Sequence, residues 1–216
     1  MFGLIFHSFG YSQTNLVLNE GFEETTFSFT GSRELRKPGY LAKHWYSPLK
    51  KRSPHLFKSP ERGVAKANSG NSAVGLVLGG SKQEKTKFEY ITGELSAPLV
   101  AGQSYCVTFS VLLHRTSKWA ASNVGLLFHH DKDLINHVED LRKQEADIYM
   151  NDKQPVTNTK WQEYNAYFVA SGGEVYVSFG MFGEAEAVEI KELGMKPYFK
   201  VDGFQNKAYY QLDDVS

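Results

Sequence analysis

The chain has 216 residues, which at about 150 residues per domain suits one large domain and would cramp two. Its 41% hydrophobic, 22% charged and 14% aromatic content excludes a disordered or fibrous chain and allows a sizeable core. Lys plus Arg (24) balance Asp plus Glu (24), so the chain lacks the positive field with which nucleic-acid binders gather phosphates.

The neutrality hides an asymmetry: residues 1–100 carry 13 basic and 8 acidic side chains, and residues 101–216 carry 11 and 16, so a single domain would be dipolar. One cysteine, Cys106, cannot close an intrachain disulfide, which excludes a disulfide-stapled scaffold and a multi-cysteine zinc site. No run approaches the roughly 18 apolar residues of a membrane-spanning helix.

Residues 1–6 are apolar and are followed by small and polar residues to Gln13, which reads as a secretory signal peptide without its charged leader; the alternative is a buried first strand. The export reading makes residues 1–13 a leader and starts the mature chain near Thr14, with one domain over 14–216. From there period-two alternation with Gly, Asn, Ser and Pro punctuation dominates. Strands are expected at residues 15–18, 72–78, 88–95, 105–111, 123–129, 164–170, 175–180 and 208–215. About eight short strands in a chain of this size predict an all-β fold, a two-sheet antiparallel β-sandwich or jelly roll. Residues 138–148, with Val138, Leu141 and Ile148 on one stripe, predict a single short helix inside a loop. The polar stretches 131–160 and 183–207 are long for connections and are expected to be functional or mobile loops.

Candidate chemistry is sparse. His129, His130, Asp131, Asp133 and His137 are transition-metal ligand types, but a strand sends His129 and His130 to opposite faces, and a solvated strand end explains the cluster without a metal. Cys106 sits inside a strand, where a buried or half-buried structural thiol is expected and not a nucleophile. Gly79-Gly80 and Gly172-Gly173 precede strands and read as turns, not phosphate cradles. The aromatics Trp45, Tyr46, Phe57 and Trp119 are candidates to stack on a sugar from loops at a sheet edge, with core packing as the alternative, while Trp161 reads as core. Lys50 and Arg52, close to Trp45 in sequence, would favour an acidic glycan.

The two ends carry a resemblance. Asn15-Leu16-Val17-Leu18-Asn19-Glu20-Gly21-Phe22-Glu23 resembles the opening, and Ala208-Tyr209-Tyr210-Gln211-Leu212-Asp213-Asp214-Val215 the closing strand, of secreted β-sandwich domains from Bacteroidetes-type bacteria. Ser69-Gly70-Asn71, Glu89-Tyr90-Ile91, Gly102-Gln103-Ser104-Tyr105 and Gly172-Gly173-Glu174 fall in that family's order, so the likeness spans residues 15–216. It departs at Ser53-Pro54-His55-Leu56-Phe57, where the family carries a Pro-Asp-Tyr-Phe segment. The resemblance implies a galactose-binding-like jelly roll similar to bacterial carbohydrate-binding modules, domains often found beside outer-membrane-protein-A-like or surface-sorting domains. It also implies a structural calcium tying the first strand to the last, with Glu23 and Asp213 or Asp214 among its ligands. The expected function is a non-catalytic secreted or cell-surface module binding glycan or an envelope component. The alternatives are an adaptor domain of an outer-membrane or surface assembly and, behind it, a polysaccharide hydrolase. The last residues, Asp213, Asp214, Val215 and Ser216, are strand-like, so continuation into a longer surface protein is also expected.

Overall fold

The computed structural model describes residues 14–29, 31–34, 42–48, 54–59, 65–81, 88–130, 138–184, 187–194 and 203–216. Strands β1 (Ser32–Glu34), β3 (His55–Lys58), β4 (Ser72–Gly80), β13 (Lys207–Asp213), β6 (Ser104–Leu113) and β10 (Gln162–Val169) form one antiparallel sheet in that order. A second antiparallel sheet runs β2 (Trp45–Tyr46), β5 (Ile91–Glu94), β11 (Tyr176–Met181), β8 (Val124–His129) and β9 (Ile148–Tyr149), and β12 (Ile190–Glu192) pairs with β7 (Trp119–Ala121) as a two-stranded ribbon. The expected two-sheet jelly-roll sandwich is what forms.

Alternation decides which residues meet between the sheets. Val74, Leu76 and Leu78 of β4, Val107, Phe109, Val111 and Leu113 of β6, and Tyr210 and Leu212 of β13 face Ile91 of β5, Val177, Phe179 and Met181 of β11, and Val124, Leu126 and Phe128 of β8 in one buried cluster. Phe109 stacks on Tyr164 at 5.6 Å and meets Phe179 edge-on at 6.3 Å, so the aromatic excess is largely spent inside. The ends of the chain converge: the Val215 N–H donates to the Glu20 carbonyl at 3.1 Å, and Phe22 and Leu212 share the core.

Several details differ from the sequence expectation. The helix α1 ends at Lys143 (Val138–Lys143), and Ile148 belongs to β9, because the β8 edge recruits residues 148–149 as a strand. Residues 15–18 contribute only a single bridge, Val17 to Leu95. The segment 131–160 contains α1, β9 and a 3-10 turn (Met150–Lys153), and 183–207 contributes β12, so neither is wholly loop.

Candidate functional site

Trp45 and Tyr46 are consecutive in β2 and so point to opposite faces of the five-stranded sheet. Trp45 goes inward: it is 1% exposed, lies flat against Gly93, packs on Phe22 at 4.7 Å, and its Nε1 donates to the Leu18 and Asn19 carbonyls at 3.0 and 2.9 Å. Its expected role as a sugar-stacking ring is therefore corrected to that of a core residue, because an indole wedged between glycine and phenylalanine has no free face. Phe57 is corrected likewise: it is buried on the outer face of the six-stranded sheet with Ala67, Ala73 and Trp161. Trp161 is half-buried there and donates from Nε1 to the Lys66 carbonyl at 2.8 Å, so it seals that outer face and does not enter the main core. Trp119 is half-buried in β7 against the main core, so the tryptophans share no groove. Lys50 and Arg52 lie outside the described residues, as does the segment 131–137 that holds Asp131, Asp133 and His137.

Tyr46 goes outward, onto a face whose cross-strand rows follow from the register. One row runs Tyr46, Thr92, Ser178 and Leu127, and the next runs Glu94, Tyr176 and His129. The Thr92 and Ser178 hydroxyls bond at 2.7 Å, and Ser178 Oγ meets His129 Nε2 at 2.9 Å, while the His129 ring stacks on Tyr176 at 5.5 Å. His44 Nδ1 pairs with Glu94 Oε2 at 2.8 Å at the margin, where both side chains are about two-fifths exposed. A third row is closed over: Tyr90 lies across Gly180 and donates to the Met181 carbonyl, and Leu141 of α1 packs with Tyr90, Leu127 and Phe182. The partly exposed side of the face is thus the His44, Glu94 and Tyr176 side.

Tyr46 itself is 4% exposed, and its hydroxyl is the one buried side-chain polar atom among the described residues with no hydrogen-bond partner. Burial, with Tyr176 and Glu94 nearby, pushes this phenol well above its usual range and keeps it a neutral donor. Sequence reasoning named Tyr46 but missed Thr92, Ser178, Tyr176, Glu94 and His44, because strands distant in sequence bring them together. The expected strands 175–180 and 88–95 carried the available signal, since period two assigns Tyr176 with Ser178, and Thr92 with Glu94, to one face.

His129 is buried on the outer face at the end of β8, while His130, one residue past the strand, is exposed, and among the described residues no three His, Cys, Asp or Glu side chains are arranged as a metal centre. Cys106 is exposed on β6, which corrects its expected burial.

The acidic residues of the two chain ends do come together. Glu23 Oε1 accepts the N–H groups of Asn71 and Ser72 at 2.6 and 2.7 Å, in a turn where Gly70 sits at φ +52° and a Cβ would overlap the Glu23 carboxylate. Asp213 Oδ2 accepts the N–H groups of Asn68 and Ser69 at 2.9 and 3.2 Å, and Asp214 Oδ2 accepts from Asn68 Nδ2 at 2.7 Å. Gly21 lies between, with both aspartates within 3.8 Å of the position its Cβ would take. Asp213 is fully buried, and burial together with Asp214 pushes its carboxyl up to about 7. An all-oxygen donor set fits calcium in kind, but the carboxylates already accept N–H and O–H donors and do not complete a shell, and the six to eight ligands that calcium takes would have to include carbonyl or water oxygens.

No protein-family model matches the chain, and no curated protein does. Among solved structures it is similar to the K2 cleaved adhesin domain of Lys-gingipain (11% identity, TM-score 0.47, 91% of this chain and 94% of that one). It is also similar to the K1 adhesin domain of Lys-gingipain from Porphyromonas gingivalis W83 (15%, 0.45, 87% and 96%). A third is the CBM22-1 xylan-binding domain of Paenibacillus barcinonensis Xyn10C (12%, 0.42, 88% and 95%). These are adhesin and carbohydrate-binding modules; at such identities no residue role passes from them to this chain.

Proposed function

We propose that the chain is a non-catalytic binding module and that its ligand is a carbohydrate held at the partly exposed His44, Glu94 and Tyr176 side of the outer face of the five-stranded sheet, beside the buried Tyr46. The observation that carries this reading is the buried Tyr46 hydroxyl without a partner. Leaving such a group unpaired costs about 1–3 kcal/mol, and a ligand hydroxyl that enters from the Glu94 and Tyr176 margin, displacing the cover over Tyr46, would recover it. Tyr176 adds an aromatic ring, and the Glu94 carboxylate held by His44 adds an acceptor for sugar hydroxyls. With Glu94 on this face, a neutral glycan suits it better than an acidic one. Export to the cell surface goes with this reading and rests on the pattern of residues 1–13.

The test is a panel of neutral and acidic oligosaccharides scored by calorimetry, with Tyr46→Phe and Tyr176→Ala. Tyr46→Phe removes only the hydroxyl, so it should raise the melting temperature of the free protein and weaken binding about tenfold, while Tyr176→Ala should abolish detectable retention. Absence of binding to every glycan, or unchanged affinity in both variants, would refute the assignment.

We further propose a structural calcium that clamps the first turn to the last strand, with Glu23 and Asp213 or Asp214 among its ligands and carbonyl or water oxygens supplying the rest. The Asp213 and Asp214 oxygens beside Gly21, with the Glu23 side chain next to the same glycine, support it, and the role is stability, not catalysis.

A further inference from the structure

Strand β10 ends the six-stranded sheet, and among the described residues no strand pairs with its far edge. Thr108 exchanges both backbone hydrogen bonds with Ser216, so the even-numbered residues of β6 face β13 and the odd-numbered ones face β10. Their partners on β10 are Gln162, Tyr164, Ala166 and Phe168, which leaves the N–H and C=O of Glu163, Asn165, Tyr167 and Val169 pointing away from the sheet. Among the described residues none of these groups has another partner. The edge carries little of the usual protection: no Pro, no Lys and no bulge interrupts its eight residues, and Glu163 is its one charged side chain. Tyr167 and Val169 on the adjoining outer face are 76% and 64% exposed.

We propose that β10 is a dimerisation strand, pairing antiparallel with β10 of a second copy about a two-fold axis through Ala166. A second copy is the occupant proposed, because in the register centred on Ala166 the strand pairs every outward group and keeps its one charge, Glu163, away from its own image. In this register Asn165 faces Tyr167 of the mate and Glu163 faces Val169 of the mate, so all four free N–H and all four free C=O groups of each strand are satisfied in eight bonds. Sliding by two residues either way strands a pair of groups at the ends. The only charge on β10, Glu163, meets a valine and never its own image, and the chain is neutral overall, so two copies do not repel. The two-fold contact consumes both edges and closes at a dimer.

Cys106 reports on the geometry. It lies opposite Tyr167 on β6, so two copies place their Cys106 Cα atoms three strand spacings and two residues apart, about 16 Å. That is too far for a disulfide and within reach of a long-spacer bismaleimide. The experiment is analytical ultracentrifugation of the full chain with Val169→Glu and Val169→Lys, together with bismaleimide cross-linking. The expected result is a dimer, cross-linked through Cys106 without forming a disulfide. Val169→Glu sets like charges opposite Glu163 at both ends and should weaken it about tenfold, while Val169→Lys should hold or tighten it. A monomer at all concentrations, a polymer, or a dimer indifferent to the sign of the charge at position 169 would overturn the proposal.

Discussion

Trp45 and Tyr46 show how one peptide step divides structure from function. The indole of Trp45 ties the N-terminal segment to the core through two carbonyls, so Trp45→Ala is expected to cost about 3–5 kcal/mol in urea unfolding, whereas the half-buried Trp119 should tolerate alanine far better. A loss of glycan binding in Trp45→Ala would therefore report unfolding and not a lost contact. Asp213 sets a pH dependence whose sign follows from its raised carboxyl. Its contribution to stability is fully present below the unfolded carboxylate pKa and is lost as pH rises through about 7. With calcium chelated, the parent chain should lose stability relative to Asp213→Asn across that window, and parallel pH profiles for the two would refute the assignment.

At the level of elements, short strands depend on their neighbours. Strand β2 has two residues and is held by β5, where Trp45 lies over Gly93; a Cβ there would come within 2.7 Å of three ring atoms. Gly93→Ala is expected to destabilise by about 1–3 kcal/mol through overpacking, measured by chemical denaturation, and to leave Cys106 labelling unchanged. Helix α1, with six residues, is too short to persist alone and is fixed through Leu141 against Tyr90, Leu127 and Phe182. The same contact closes one side of the outer face and leaves the His44, Glu94 and Tyr176 side to solvent, so a minor helix shapes the proposed site.

For the whole molecule, the closure of the chain ends is the governing feature. Val215 bonds Glu20, Ser216 pairs with Thr108, and the acidic cluster lies at the same junction. Calcium binding there would act on global unfolding: at a calcium concentration 100 times the dissociation constant, linkage adds about 2.7 kcal/mol. Chelation should accordingly lower the melting temperature by several degrees, and the shift should vanish in Glu23→Gln; an unchanged melt in chelator would remove the calcium site. Most contacts in this topology join residues far apart in sequence, so folding should be slow for the chain length, as stopped-flow refolding would show.

Strand periodicity lay in the sequence because burial on one face leaves a mark every second residue, and β4, β5, β6, β8, β10, β11 and β13 all fall within or overlap the expected runs. The shorter strands β1, β2, β3, β7, β9 and β12 left no such mark: two to four residues carry too little alternation, and they exist only because a neighbouring edge offers hydrogen bonds. The meeting of Glu23 with Asp213 and Asp214 was legible through the resemblance of the two ends. Which aromatics face outward was not, since a ring in a strand is equally apolar whichever way the pleat turns it. That choice, with the row of Tyr46, Thr92 and Ser178 and the outer edge of β10, was made by strand order and register, which are set by packing between segments that no local pattern connects.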